Sequence, residues 1–513
     1  MKRLFVLSLL ISLFLPLVCV AANDLNFKVG NTYDISKEID LRGKELILPT
    51  GVGLNFIGGR IVNGTVRFNN TTLSGDVKIY AHIHPESTLT NATLDCSWFC
   101  PNINSGNKVF DASQSINELI QITRNYTDGQ YSFVPTIYLP AGIYYCHKPL
   151  NISTVIGGKD KGARSISIRG EMGTKIVAVE SMEYLFGRPI SESTSSFSGM
   201  TLTIENITFD GNMRVEHTMN LSRVSNSLIK NVKSIGGCKT NLYMNYSFIN
   251  LFEHCSFRSW DVFQPTNIDV FLGPQDVNAI NFVGCAFESA NVGVYCGSGY
   301  VANFDGCTFE GLRRTAVYVY KTNQVNIRGG YFEENATTKN SKLRKDFDWK
   351  TFGISGKMAG GTKKNTVKVH SDVVINNYKI EPDQNWDSIL FVQTTSQTQK
   401  LGEVLGNVTF VGNSVQRINS STSDNVYGYE VTNDTFIFVA DDRPVSAISN
   451  NIVSIYADER KGVWRYSKNY KTPILLKAQY SATANSSDAT ILLHNNSSAN
   501  SIADEMNVIK MYR

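Results

Sequence analysis

The residues best suited to chemistry in the middle of this chain are acidic and basic side chains in successive loops. They are Asp261, Asp269, Glu288, Glu310, Arg313 and Arg314. Hydrolysis of a glycosidic bond uses two carboxyl groups, one an acid with a raised pKa and the other a base or nucleophile. Elimination at a uronide instead uses a cation beside the sugar carboxylate and a base that removes the neighbouring proton. The six residues are therefore predicted as a catalytic set for one of these reactions, although each alone also fits a solvated loop residue.

A second set is aromatic and lies in short apolar segments. Its members are Tyr243, Phe271, Tyr295 and Tyr318, with Lys321 close behind the last of them. Aromatic rings stack on the apolar faces of sugars while polar neighbours bind the hydroxyls. The set predicts a substrate-binding row on the outside of the fold. The alternative is that a loop, or the basic insertion at 336–351, covers the row.

A repeat in the sequence determines where these residues lie relative to one another. The segment 281–288 (NFVGCAFE) returns as 303–310 (NFDGCTFE) and, more weakly, as 326–333 (NIRGGYFE), at offsets of 22 and 23 residues. A repeat of this length that is rich in Phe, Val, Ile, Asn and Gly is typical of one coil of a β-solenoid. The sequence predicts an all-β right-handed parallel β-helix, with an amino-terminal β cap and one short helix near its start.

The repeat can be extended into columns of residues that stack from coil to coil. One inward column is Ile204, Ile229, Phe252, Phe282, Phe304 and Ile327, and another is Phe209, Ser234, Phe257, Phe287, Phe309 and Phe332. Asn281, Asn303 and Asn326 are predicted to form a hydrogen-bonded ladder of structural importance. Cys255, Cys285 and Cys307 form a third column, which predicts buried thiols because coils lie about 4.8 Å apart and a disulfide needs closer Cβ atoms. Cys96 and Cys100 are better disulfide candidates.

The chain is predicted to have four parts. Residues 1–22 have a charged start, a short apolar run and small residues before Asn23, as in a secretory signal. Residues 23–95 are the predicted β cap, 96–420 the β-helix, and 421–513 a β-rich segment that continues the solenoid or forms a separate module. The helix is expected at 111–125. The predicted location is the periplasm, the outer cell surface or the extracellular space.

The charge and composition of the chain argue against several classes of partner. The formal net charge is only +4, so nucleic acid is not an expected partner, and no apolar run after the leader is long enough to span a membrane. The seven histidines are scattered, and no acidic calcium loop is present, so neither a metal site nor a cofactor is predicted. The oligomeric state is left undefined.

Several short motifs resemble the pectate-lyase-like superfamily, which includes polygalacturonases, polysaccharide lyases and phage tailspikes. They are Trp98-Phe99, the helix after Asp111, the segment 139–144 (LPAGIY) and the turn Ile168-Arg169-Gly170. The resemblance covers roughly residues 95–335 and implies the β-helix fold. In polygalacturonases the loop before each second strand carries paired aspartates, Gly-His-Gly and Arg-x-Lys, and of these only the basic residues Arg313, Arg314 and Lys321 have counterparts here.

The leading functional hypothesis is therefore a secreted enzyme that cleaves a polysaccharide by hydrolysis or elimination in an outer groove of the β-helix. Export and fold support it, whereas the absence of the polygalacturonase motifs argues against it. The first alternative is a non-catalytic glycan-binding or adhesive solenoid. The second is a structural surface protein without a small ligand.

Overall fold

The computed structural model describes residues 26–333 apart from 102, 104–107, 127–132, 157–158, 161, 163, 260–267 and 313–314, together with strand residues 20–21 and short strands beyond 333. Only the backbone is described at 315, 319–321 and 323–324 and in the strands outside 26–333. The description below refers to these residues.

The strands up to residue 187 are β1 Val20–Ala21, β2 Thr32–Ile35, β3 Glu38–Asp40, β4 Glu45–Ile47, β5 Gly53–Phe56, β6 Arg60–Arg67, β7 Thr72–Gly75, β8 Ile79–Ile83, β9 Thr93–Asp95, β10 Thr136–Leu139, β11 Ile143–Cys146, β12 Leu150–Asn151, β13 Val155–Ile156, β14 Lys159–Asp160, β15 Arg164–Gly170, β16 Lys175–Ala178 and β17 Met182–Gly187. An α-helix, α1, covers Ser113–Thr123, and 3-10 turns cover Cys96–Trp98, Arg124–Tyr126 and Ile190–Glu192.

The later strands are β18 Met200–Glu205, β19 Thr208–Asn220, β20 Ser225–Lys230, β21 Lys233–Met244, β22 Ser247–Glu253, β23 Ser256–Arg258, β24 Ile268–Leu272, β25 Val277–Val283, β26 Ala286–Glu288, β27 Val292–Asp305, β28 Thr308–Glu310, β29 Thr315–Arg328, β30 Tyr331–Glu333, β31 Val374–Ile375, β32 Tyr378–Lys379, β33 Leu390–Val392, β34 Val408–Val411, β35 Ser414–Ile418, β36 Ile437–Val439, β37 Val445–Ser449, β38 Ile452–Tyr456, β39 Ile474–Leu475, β40 Ala489–His494 and β41 Met506–Met511.

The chain forms two compact units. The first contains Met1–Tyr144 and Ser165–Glu171, and the second contains Tyr145–Arg164 and Met172–Arg513. In the first unit, β2, β5 and β7 form one parallel sheet, and β1, β3, β6, β4 and β8 form another. Leu54 pairs with Tyr33 and with Leu73, so the segment predicted as a cap is itself built from parallel coils.

Helix α1 belongs to the first unit and confirms the helix predicted at 111–125. Its buried face contains Ile116, Leu119 and Ile120, which recur at helical spacing. The carboxylate of Asp111 accepts the backbone N–H of Ser113 at 2.9 Å and so satisfies one N–H group of the first turn.

The second unit is a right-handed parallel β-helix whose coils contribute to three parallel sheets. The first sheet contains β18, β20, β22 and β25 with the later parts of β27 and β29. The second contains β16, the early parts of β19 and β21, then β23, β26, β28 and β30. The third contains β17, the later parts of β19 and β21, then β24 and the early parts of β27 and β29.

The predicted columns are confirmed by the strand register. Phe282 pairs with Phe252 on one side and with Phe304 on the other, and its ring stacks on theirs at centroid distances of 4.8 and 5.1 Å. Phe309 pairs in the same way with Phe287 and Phe332. Each stacked pair contributes about 0.5–1.5 kcal/mol beyond the burial of its area. These columns are the core of the β-helix.

The asparagine ladder is also confirmed. The side-chain amide of Asn303 donates to Asn281 Oδ1 at 2.7 Å, and that of Asn326 donates to Asn303 Oδ1 at 2.7 Å. A ladder of this kind satisfies the amides along the column and fixes the register of three coils.

The cysteine column is buried as predicted. The thiols of Cys255, Cys285 and Cys307 each donate to a backbone carbonyl of the preceding coil at 3.3–3.4 Å. The disulfide for which Cys96 and Cys100 were candidates does not join them. Because Cys100 N donates to Cys96 O at 2.9 Å, the two residues are four apart on a helical turn. That arrangement separates Cβ atoms by about 5–6 Å, which is too far for a disulfide.

The segment 421–513 contains both of the structures left open by the sequence. Strands β36, β37 and β38 pair in parallel with β33, β34 and β35 and so extend the three sheets by a further coil. Strands β39, β40 and β41 pair with one another in an antiparallel sheet. Among the described residues, no helix combines the length and apolar character needed to cross a membrane.

Candidate functional site

Asp269, from the predicted catalytic set, lies in the core. Its side chain is 0% exposed on β24, and its Oδ1 accepts the amide of Asn241 at 2.7 Å. Burial raises the pKa of this carboxyl well above its usual value, and the negative charge of Glu288 adds to the rise. Asp269 is therefore a core residue and not the solvated loop residue that the sequence suggested. Its predicted catalytic role stays a prediction.

Glu288 and Glu310 lie at the surface, as predicted. They pair in register on β26 and β28, one coil apart. Arg258 Nη1 lies 3.8 Å from Glu288 Oε2, which reduces the repulsion between the stacked carboxylates. Asp261, Arg313 and Arg314 lie outside the described residues, and Lys321 is described only by its backbone.

The aromatic row is assembled but covered. Tyr243, Phe271, Tyr295 and Tyr318 stack in register at centroid distances of 5.2, 4.9 and 5.2 Å. Their exposed fractions are 4%, 0%, 1% and 1%, so they form no surface row for a sugar. Both sides of these strands are buried, since the intervening Val270, Val294 and Val317 are also 0% exposed. A strand buried on both faces has no polar side that the sequence could reveal.

An open groove lies instead beside the earlier coils of the second unit. It has a volume of about 620 Å³, within the usual range for ligand sites. Its lining combines two carboxylates, one guanidinium, two hydroxyls and two apolar side chains. These residues are Ser181, Met182, Glu183, Ile190, Ser191, Arg214 and Glu216. We call it the Glu183–Glu216 groove.

The two carboxylates of the groove face each other on adjacent strands. Met182 pairs with Val215 and Tyr184 with His217, which places Glu183 on β17 opposite Glu216 on β19. Glu183 Oε1 accepts the backbone N–H of Ile190 at 2.5 Å, which fixes the start of the turn that forms one wall.

Glu216 is paired with a cation on the next coil. The ammonium of Lys239 lies 2.7 Å from Glu216 Oε2. Glu183, Glu216 and Lys239 therefore form a column of two negative side chains and one positive side chain across three coils at the groove.

A strained turn presents the guanidinium of Arg214 to the groove. The two residues before it, Asn212 and Met213, have φ values of 51° and 52°, in the left-handed region that Asn tolerates and Met disfavours. Asn212 N donates to Asp210 Oδ1 at 2.8 Å, and the Asp210 carboxylate is held by Lys175 at 2.7 Å. Arg214 itself has no hydrogen bond or ion pair with the described residues. Backbone strain of this kind is concentrated at functional sites.

A buried histidine lies directly behind the groove. His217 follows Glu216 on β19 and is 1% exposed, with its Nδ1 2.7 Å from Thr240 Oγ1. Burial lowers the pKa of His217 to about 3, and the positive charge of Lys239 adds to the effect. The imidazole is therefore neutral at physiological pH.

The sequence did not single out this site. Glu183 and Glu216 are 33 residues apart, whereas the visible repeat has offsets of 22 and 23. The difference arises from the long corner after β17, which includes the 3-10 turn at Ile190–Glu192. The signal that remained was the alternation Arg214-Val215-Glu216 and the lone charge of Glu183 in an apolar segment. Among the described residues, no group of three or more His, Cys, Asp or Glu side chains could hold a metal ion.

Comparisons with known proteins find only distant structural likenesses. The chain is similar to ORF18 of Geobacillus virus E2, with 11% identity and a TM-score of 0.42 over 82% of this chain and 76% of that one. It is similar to the gp42 tailspike of Acinetobacter phage vb_AbaP_AS12, with 9% identity and a TM-score of 0.39 over 82% and 67%. It is also similar to PfbA, a surface adhesin of Streptococcus pneumoniae, with 11% identity and a TM-score of 0.39 over 81% and 99%. No protein-family model matches the chain, and a comparison with curated proteins gives no match.

Proposed function

We propose that this protein is exported and binds a polysaccharide in the Glu183–Glu216 groove. The observation on which the proposal rests is the composition of the groove, where carboxylates, hydroxyls and a guanidinium surround a small apolar surface. Sugars present hydroxyl groups at their rims and C–H groups on their faces, so both kinds of surface are needed to hold one. Met182 and Ile190 supply the apolar part, and the carboxylates accept hydrogen bonds from hydroxyls.

The geometry of the groove suits an extended ligand. Its charged residues come from successive coils that lie about 4.8 Å apart. Arg214 supplies donors without a described partner, and Glu183 and Glu216 supply acceptors. A chain of sugars running across the coils could contact each of these groups in turn.

Cleavage of the bound polysaccharide is a second candidate, and the pairing of Glu183 with Glu216 favours it. Opposed residues on neighbouring strands bring two carboxyl groups to roughly 5 Å, which is the separation used by glycosidases that retain configuration. One carboxyl would protonate the leaving oxygen and the other would attack the sugar carbon.

The test uses a panel of neutral and acidic polysaccharides with the wild-type protein and three variants. Arg214→Gln is expected to weaken retention at least tenfold, since it removes the charged donors of the groove. The double variant Glu183→Gln/Glu216→Gln is expected to abolish release of new reducing ends if the protein is a hydrolase. The matched control Glu288→Gln/Glu310→Gln removes another pair of stacked carboxylates, outside the groove, and is expected to change neither property.

Two results would contradict the proposal of binding, and a third would exclude only cleavage. Retention of no polysaccharide by the wild-type protein would refute carbohydrate binding. Loss of retention or turnover only in Glu288→Gln/Glu310→Gln would place the site where the sequence predicted it and not in the groove. Retention without any product, as reducing ends or as absorbance of an unsaturated uronide, would establish binding and exclude cleavage.

A further inference from the structure

Three buried guanidinium nitrogens without a hydrogen-bond partner belong to two neighbouring arginines in the second unit. They are Arg188 Nε, Arg188 Nη2 and Arg223 Nε. We call these two residues the Arg188 cluster. Buried polar atoms in native proteins are almost always hydrogen-bonded, so several in one place indicate a site for an acceptor from outside the chain.

Arg188 is at the centre of the cluster. It is 0% exposed, and its one side-chain hydrogen bond among the described residues runs from Nη1 to the carbonyl of Ser198 at 3.2 Å. Burial lowers the pKa of the Arg188 guanidinium to about 10, so the group is still positive at neutral pH. A buried guanidinium with two unused N–H groups is unfavourable unless an acceptor reaches them.

The neighbouring carboxylates do not supply that acceptor, because their oxygens bind other groups. Asp160 accepts the backbone N–H of Ser198 at 2.6 Å and that of Gly162 at 3.0 Å. Burial alone would raise the pKa of Asp160, but these hydrogen bonds lower it to about 2.

Glu192 is engaged in the same way. Its carboxylate accepts the hydroxyl of Ser153. The two carboxylates therefore balance charge in the corner without using the donors of Arg188.

The guanidinium of Arg223 restricts the kinds of ligand that could bind beside Arg188. The charge of Arg223 acts on Arg188 and disfavours its charged form, and Arg223 Nε also lacks a partner. All three unpartnered atoms are N–H donors, which cannot accept a hydrogen bond. The ligand must therefore offer several lone pairs, and guanidinium groups bind oxyanions best through two parallel hydrogen bonds.

We propose that the Arg188 cluster binds a small inorganic oxyanion of the sulfate or phosphate class. The ion would accept hydrogen bonds from Arg188 and Arg223 and hold the segment 188–199 against the coils. That segment provides Ile190 and Ser191 to the Glu183–Glu216 groove. The proposal does not depend on what the groove binds, because the cluster is defined by its own donors.

The experiment measures anion binding to the purified full chain by titration calorimetry and by thermal unfolding, with sodium chloride used to keep ionic strength constant. Sulfate and phosphate are the probes. The wild-type protein is expected to give a saturable heat of binding and a saturable rise in Tm. Arg223→Gln is expected to weaken binding at least tenfold, and it removes only a partly exposed side chain. Arg258→Gln, an arginine outside the cluster, is the matched control and should behave as the wild type.

Arg188→Met is expected to abolish the response and to be at least as stable as the wild type without added anion, because it removes two buried N–H groups that have no acceptor. If Arg188→Met does not fold, Arg223→Gln decides. A sugar sulfate should give no response, since the Arg188 side chain is fully buried. The proposal is wrong if neither inorganic anion gives a saturable response, if Arg223→Gln binds as tightly as Arg258→Gln, or if only the sugar sulfate responds.

Discussion

The buried imidazole behind the groove predicts a specific dependence of stability on pH. His217 has a pKa of about 3 in the folded protein against an ordinary value of 6.5. The unfolded chain therefore binds more protons between these values, and the stabilising effect of the neutral ring is complete above pH 6.5 and is lost as the pH falls toward 3. Between pH 7 and pH 5 the linkage relation gives a loss of about 2 kcal/mol in the free energy of unfolding from this residue alone.

The perturbation is His217→Gln, which keeps a hydrogen-bonding side chain for Thr240 but does not titrate. Urea unfolding followed by circular dichroism at pH 5, 6 and 7 should show that the wild type loses about 2 kcal/mol more than the variant over this range. The exposed His254 supplies the control, and His254→Gln should lose stability with pH as the wild type does. Equal pH dependence in His217→Gln and the wild type, or an imidazole that titrates near 6.5 by NMR, would refute the reasoning.

Three further outcomes follow from the described side chains. Because burial raises the pKa of Asp269, the wild type should lose stability relative to Asp269→Asn as the pH rises above about 4, with a gap in urea unfolding that widens until the pH passes the folded-state pKa. Phe282→Ala should lower the free energy of unfolding by about 3–5 kcal/mol, whereas Val283→Ala, on the outer side of the same strand, should change it by less than about 1 kcal/mol. Met213→Gly should raise Tm, because glycine removes a left-handed strain of about 1 kcal/mol, and an unchanged or lower Tm would show that the turn is not strained.

The architecture of the β-helix could be predicted in detail from the sequence. The columns through Phe282 and Phe309 and the Asn303 ladder were assigned residue by residue, because coils of nearly equal length repeat the same inward positions. The strands that contain Tyr295 were also aligned correctly. A core built from coils of equal length produces a periodic sequence pattern. That pattern can be recognised without knowing the structure of the loops.

The site could not be predicted in the same way. The alternation around Tyr295 placed the ring on the outside, but both faces of its strand are buried and the alternation has no polar half. Asp269 was expected at the surface for its charge, and only three-dimensional packing shows that Asn241 and the core keep it neutral. Glu183 and Glu216 meet because one corner is long, and a pattern search tuned to 22 residues does not register a coil of 33.

The long corner after β17 has a consequence for how this protein could change over time. Adding residues there leaves the three strands of its coil in step with their neighbours, since the pairings of β17 with β19 are intact. The stacked sheets and the loops that connect them can therefore change independently. A lengthened bend can create a new recess on the outside without disturbing a single stacked ring within, so relatives that share the stacked sheets could differ in ligand through the length of one bend.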